Sequence, residues 1–373
     1  KPHLATDRHG TPVGRFVYGR SYRERPDAVP IDPVELKLTP RTYETTAMRG
    51  VFGGLRDAGP DYWGRRVIER HAGKAELGEL DYLLNSPDDR AGALGFGLGQ
   101  EPPAPRRRFN KTLDLEKLLA LADALINEED IQPNSTAAQV EDLLLLGTSM
   151  GGARPKAVVE DDDGLWIAKF SRPDDRWNHA RVEHAMLTLG RSCGLTTAES
   201  KVVPAAGRDV LLVRRFDREK VNQGYLRARM VSGLTLLRAE DSHRSRDRWS
   251  YVLLAEELRR ACTEPQKQAK EQDWKLSPAY DLTPSTPVSL EQRDLALICG
   301  DHGRFANTEN LLSQCERFLL DRDEAAKIVT EMSRCVRDTW YEVCRAEGVS
   351  ERDCDLIKGA FVYPGFGGET NND

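Results

Sequence analysis

The chain has 373 residues, a net charge of −6 and a pI near 5.8, and it is too long for one compact core at roughly 100–200 residues per domain. Its 39% hydrophobic and 31% charged residues contain no run near the ~18 apolar residues of a membrane span, which excludes an integral helical membrane protein. The acidic balance argues against the chain alone gripping a duplex, because releasing counterions needs a basic surface.

The start at Lys1 shows no charged stretch followed by an apolar one, so no secretion signal is expected. The seven cysteines are scattered without a C-x-x-C pair, which indicates neither a zinc site nor a disulfide framework. They read as reduced thiols of a cytoplasmic protein.

Residues 13–18 alternate as a half-buried strand does, and Pro26, Pro30, Pro33 and Pro40 punctuate the next stretch with turns. Asp61 is placed to cap a helix that carries Trp63, Val67 and Ile68 on one side, with Arg65 and Arg66 as surface charge. Residues 100–112, with three prolines and the run Arg106-Arg107-Arg108, read as a linker or surface excursion. A helix is expected over 113–127, where Leu115, Leu118, Leu119, Ala122 and Leu125 keep helical spacing; residues 140–146 continue the apolar pattern.

Next come a small-residue turn (Gly147, Ser149, Gly151, Gly152), an apolar strand (Ala157, Val158, Val159), an acidic tip at 161–164 and a second strand ending in Lys169. Such an order lays backbone amides and one ammonium beside a string of phosphates. A helix over 179–193 follows, closed by Gly194, with Glu183 on a face neighbouring its apolar stripe. Strands at 200–203 and 210–214 lead into Arg215-Phe216-Asp217-Arg218. From about residue 234 the sequence turns helical, at 249–262, 308–319, 324–346 and 351–359. His179, His184, His243 and His302 lack the spacing of metal ligands.

In a kinase, a strand lysine grips phosphates, a helix glutamate orients it, a linker strand offers backbone groups to adenine and a later aspartate holds Mg²⁺. The order of parts here resembles the HipA-like serine/threonine kinases, toxins of bacterial toxin–antitoxin systems. The resemblance rests on Phe52-Gly53-Gly54-Leu55-Arg56-Asp57 with Pro60-Asp61-Tyr62-Trp63-Gly64-Arg65-Arg66, and on Ser149-Met150-Gly151-Gly152-Ala153-Arg154-Pro155-Lys156. Val213-Arg214-Arg215-Phe216-Asp217-Arg218 and Leu276-Ser277-Pro278-Ala279-Tyr280-Asp281-Leu282 complete it.

It implies an α+β, protein-kinase-like two-lobed fold, with an N-terminal subdomain over 1–112, an N-lobe-like part over 113–217 and a helical C-lobe over 218–373. It implies ATP and Mg²⁺ as cofactors. Lys169 becomes the phosphate lysine, Glu183 its helix partner, and Ser149, Gly151, Gly152 and Ala153 the phosphate loop, with Ser149 as the autophosphorylation target. Arg214 to Phe216 would face adenine through backbone groups, Asp217 would reach the ribose, and Asp281 would ligate the metal. Arg154 stands where the family usually has Gln. The implied partners are a protein substrate, aminoacyl-tRNA synthetases or other translation factors among them, and a helix-turn-helix antitoxin that supplies the DNA-binding surface.

One part is missing. The family's catalytic loop, with a base aspartate and a metal-binding asparagine, precedes the metal aspartate by about two dozen residues, yet residues 251–272 contain no Asp, Asn or His. Asp273 is too near Asp281 to be that base, and Glu256 and Glu257 read as a solvated helix face. Either the chain is a nucleotide-binding pseudokinase, or the sequence lacks an internal segment of the native protein near 266–272, before a strand such as 274–276. The second reading is preferred because every other part of the site is retained. A small-molecule phosphotransferase would use much the same parts.

Overall fold

The computed structural model describes residues 2–73, 77–86, 88–99, 110–111, 114–126, 154–172, 174–261, 274–285, 292–361 and 363–367. The expected linker at 100–109, the apolar stretch at 140–146, the small-residue turn and the segment at 266–272 lie outside them. Contacts divide the chain into two compact units, Lys1–Arg172 with Val203–Glu240, and Pro173–Val202 with Asp241–Asp373.

Among the described residues of the first unit, two cores stand out. A three-stranded antiparallel sheet, β1 (Pro2–Thr6), β2 (Pro12–Phe16) and β3 (Tyr43–Thr45), contributes Phe16 and Tyr43 to one of them. Tyr18, Leu36, Val51, Phe52, Leu55 and Leu83 fill the rest. The Phe-Gly-Gly-Leu-Arg-Asp motif has a packing reason: a Cβ on Gly53 would come within 2.5 Å of Thr235 Oγ1, and one on Gly54 within 2.9 Å of the Asp32 Cβ. Asp57 closes that contact by accepting from Thr235 Oγ1 at 2.8 Å and Ser232 N–H at 2.6 Å.

The other core lies on one face of a five-stranded sheet of order β4-β5-β6-β8-β7. Its strands are β4 (Asn110–Lys111), β5 (Lys156–Asp161), β6 (Gly164–Lys169), β7 (Ser200–Ala205) and β8 (Arg208–Arg214). β5 and β6 form the expected hairpin, paired from Lys156↔Lys169 to Asp161↔Gly164. Asp161 organises the turn, its Oδ1 accepting from the N–H groups of Asp163 and Gly164 and from Trp166 Nε1.

Because strand side chains alternate, Ala157, Val159, Trp166, Ala168, Val210 and Leu212 share the face covered by helices α1 (Tyr62–Ala72) and α2 (Leu115–Ile126). Asp61 caps α1, accepting from Gly64 N–H at 2.7 Å, and Trp63, Val67 and Ile68 are buried as their spacing predicts. Arg65 is no loose surface charge. It pairs bidentately with Glu79 and stacks on Tyr82.

A second hairpin, β9 (Arg218–Val221) with β10 (Gly224–Arg227), follows β8 directly and escapes the sequence pattern. Its apolar residues Val221 and Leu226 are exposed along with Glu219 and Lys220, so no buried apolar alternation marks it.

The second unit is mainly helical. Helix α3 (His179–Ser192) begins at Asn178, whose side chain accepts from Arg181 N–H, and ends before Gly194 at φ +87°. The resemblance groups this helix with the segment 113–217; by contacts it belongs to the second unit. Val182, Ala185, Met186 and Leu189 pack with Cys344, Val349, Cys354 and Ile357 from the region of α4 (Arg322–Ala346) and α5 (Glu351–Ile357). Trp340 stacks on Phe361 at 4.5 Å over the same core. Residues 274–276 form no strand, and Leu276 is exposed. All described cysteines are free thiols.

Candidate functional site

In the first unit, Lys169 ends β6, one residue beyond the core-facing Ala168, so the pleat turns its side chain to the sheet's opposite face, where it is half-buried. The register sets it directly across from Lys156 and beside Leu211 of β8. Lys156 is buried, and its ammonium is ion-paired with Asp61 at the start of α1. The ladder continues one step past the strands, with Phe170 N–H donating to Pro155 O at 3.0 Å. The end of the Ser149–Lys156 motif is thereby pinned to the strand that carries Lys169. Ser149, Gly151, Gly152 and Ala153 themselves lie outside the described residues.

β8 leads into the residues that the resemblance puts beside adenine. Arg214 donates to Asp163 O at 2.9 Å and lies over Trp166; Phe216 is half-buried. Between them, Arg215 N–H donates to Leu165 O, extending the sheet.

Asp217 departs from the ribose-binding role the resemblance implies. Its side chain is fully enclosed, with Oδ1 accepting from Arg215 Nε and Oδ2 from Arg215 Nη2, Arg218 Nη1 and Gly92 N–H. Burial alone would raise its pKa, but the two guanidinium groups outweigh that and hold it below the usual carboxylate value. A carboxylate enclosed in this way is held by Arg215, Arg218 and the Gly92 amide. The signal for this reading was present in the sequence: an aspartate flanked by Arg215 and Arg218 has its counter-ions at hand.

In the second unit, Glu183 is buried, not exposed as a lone helix glutamate would be. The next residue, His184, bonds through Nδ1 to Ser200 Oγ at 2.8 Å and faces Glu347 Oε2 through Nε2 at 3.2 Å. Burial pushes the His184 pKa below its ordinary 6.5, against the attraction of Glu347.

Asp281 is exposed and carries a left-handed φ of +58°, a conformation that few residues other than Gly adopt without a reason. The segment before it is clamped: Ala279 exchanges backbone hydrogen bonds of 2.8 Å with Thr196 and Ala198. The residue after it, Leu282, packs on the core under α3. An exposed carboxylate on a fixed backbone suits Mg²⁺, which takes one or two protein carboxylates and fills its remaining positions with water and phosphate oxygens. Among the described residues no group of three or more His, Cys, Asp or Glu could hold a metal ion. Asp273 and the residues before it from 262 lie outside the described residues, while Glu256 pairs with Arg317 and Glu257 with Arg260.

Helices and mainly antiparallel sheets make up an α+β fold. Residues 148–272 match the family model of the HipA-like C-terminal domain. A solved structure of HipA from Shewanella oneidensis MR-1, in a toxin–antitoxin complex with HipB and operator DNA, matches 98% of this chain and 93% of its own at a TM-score of 0.65 and 15% identity. The proinflammatory kinase CtkA of Helicobacter pylori matches 57% of this chain and 92% of its own at 13% identity, with a TM-score of 0.32 that carries no argument. No curated protein sequence matches. Residues 148–272 thus match the HipA-like C-terminal domain, and the fold is similar to that of the Shewanella HipA over nearly the whole length.

Among the described residues no helix is long and apolar enough to cross a membrane.

Proposed function

We propose that the native protein is an ATP- and Mg²⁺-dependent serine/threonine kinase of the HipA-like toxin type. The observation that carries this reading is the match over residues 148–272, which takes in the phosphate loop, Lys169, Glu183 and the hinge in one continuous stretch. In this reading Lys169 binds nucleotide phosphate, Glu183 orients it, Gly151, Gly152 and Ala153 line the phosphates, the backbone at Arg214–Phe216 meets adenine, and Asp281 holds the metal, which neutralises charge developing on the transferred phosphoryl group. Asp217 acts behind the hinge as its brace.

Ser149 is the proposed autophosphorylation site. A phosphate there adds about −1.5 to −2 charge beside groups built for ATP, which switches the loop off. A protein substrate and a DNA-binding antitoxin are the proposed partners. The second of these is favoured by the Shewanella HipA, whose structure contains HipB and operator DNA, and by the acidic charge of this chain. The cytoplasm is the compartment where such partners meet.

Mass spectrometry of the full native protein after incubation with ATP·Mg²⁺ tests the reading. Phosphate on Ser149 is the expected result; no phosphoserine together with no nucleotide binding by calorimetry would sink it. The pseudokinase reading is favoured by one observation, the lack of Asp, Asn and His over 251–272. It expects nucleotide binding without transfer, in the protein translated from the intact gene.

A further inference from the structure

We propose that Asp89 is a positioning residue for the hinge, acting through the guanidinium of Arg215; this rests on the nucleotide-site reading above. Asp89 belongs to a segment about 125 residues upstream of the hinge that no part of the kinase scheme uses. It is buried, and its Oδ1 accepts from Arg215 Nη1 at 2.6 Å. The neighbouring carbonyl of Arg90 accepts from Arg215 Nη2 at 2.9 Å and from Arg218 Nη2 at 2.6 Å. Gly92 N–H completes the contact on Asp217 Oδ2 at 3.0 Å.

The charges explain why Asp89 matters. Arg215 and Arg218 both lean on Asp217, and one carboxylate cannot neutralise two buried guanidinium groups. Asp89 supplies the second negative charge, from a segment that meets Arg215 at Nη1. Its loss would leave Arg215 to compete with Arg218 for Asp217.

The geometry carries that effect to the hinge backbone. Arg215 is tied by its N–H to Leu165 O and by its side chain to Asp89, Arg90 and Asp217. Asp217 is tied by its carboxylate and by its carbonyl, which accepts from Ala228 N–H at 3.0 Å. Phe216 therefore sits between two fully anchored residues. A purine read by backbone groups requires those groups held to within about 0.5 Å, and Asp89 is one of the residues that holds them.

The test compares full-length native protein with its Asp89→Ala and Asp89→Asn variants. Asparagine keeps an acceptor oxygen for Arg215 and loses only the charge. Calorimetry is run with two ligands, ATP·Mg²⁺ and inorganic triphosphate·Mg²⁺, which has phosphates and no base. The expected result is that Asp89→Ala weakens ATP at least tenfold and triphosphate less than twofold, that KM for ATP rises more than kcat falls, and that Asp89→Asn recovers part of the loss. Equal loss of both ligands in step with a lower melting temperature, or no change in either, overturns the proposal.

If Asp89→Ala fails to fold, the same ATP-to-triphosphate ratio is read on Asp89→Asn, with a threefold selective loss expected. If the wild type binds neither ligand, the nucleotide reading fails, and amide exchange decides on Asp89. Exchange at Phe216 and Asp217 at least tenfold faster in the variant upholds its grip on this stretch, and unchanged exchange overturns it.

Discussion

Asp217 and Asp281 come from two motifs of equal prominence, yet the fold treats them oppositely. Asp217 sits in the turn between β8 and β9, with no left-handed φ, and both its carboxylate oxygens accept from buried partners. Asp281 is held in a left-handed conformation and leaves its carboxylate exposed. The first has no left-handed torsion and is enclosed by buried partners; the second bears a torsional cost and stands at the surface. A motif aspartate is thus assigned by where its oxygens are used, since the residue type is the same in both.

The largest way to test this contrast is to remove each carboxylate. Asp217→Ala leaves Asp89 as the carboxylate for two buried guanidinium groups and is expected to cost about 3–5 kcal/mol, read as a lower denaturation midpoint at unchanged slope. Asp281→Ala, at the surface, is expected to change stability by only about 0.5 kcal/mol. Under the proposed kinase function it should lower phosphotransfer roughly a hundredfold or more, because the lost group would stabilise transition-state charge through the metal. If the two effects are exchanged, the contrast is wrong.

Acid should separate the same sites more gently. The Asp217 pKa is held below its ordinary 3.8 in the folded chain, so its stabilisation is present above 3.8 and disappears as pH falls through the folded value. The Asp217→Asn variant should lose part of this acid limb. His184 works at a higher pH. Its folded pKa lies below 6.5, so the unfolded chain binds more protons just below 6.5 and stability falls as pH drops through that window. Glu347, Arg181, Arg191 and Ser200 are the groups that face it. A His184→Gln variant should show a flatter stability profile between pH 7 and 5, read by thermal melts (roughly the range where His changes charge). An unaltered slope would exclude His184 as its source.

Periodicity and caps made much of the fold legible. Asp61 before α1, Asn178 before α3 and the Asp161–Gly164 turn are local signals, and each does locally what its chemistry predicts. The β9–β10 hairpin stayed hidden because exposed residues dominate it and no core sets its alternation.

At the site, strand position placed Lys169, but the ribose role given to Asp217 came by resemblance, and its real neighbours come from Asp89, Arg90 and Gly92, more than a hundred residues away. No local pattern encodes that contact. Glu183 likewise read as a face residue because α3 is buried on more sides than its apolar stripe shows.

The smallest predicted effect is the most discriminating for Asp281. A residue with a side chain at φ +58° bears a cost that Gly avoids, offset by the greater freedom Gly gives the unfolded chain. Aspartate tolerates this region better than most, so Asp281→Gly should stabilise by only about 0.5 kcal/mol, measured as a raised midpoint in urea. The same change at Asp217, where φ is not positive, should destabilise strongly. A gain at Asp281 together with lost phosphotransfer means the torsion is kept for what the carboxylate does. A loss of stability there means that the carboxylate's own contacts outweigh the torsion, in which case Asp281 is a brace like Asp217 and the metal must be held by another group.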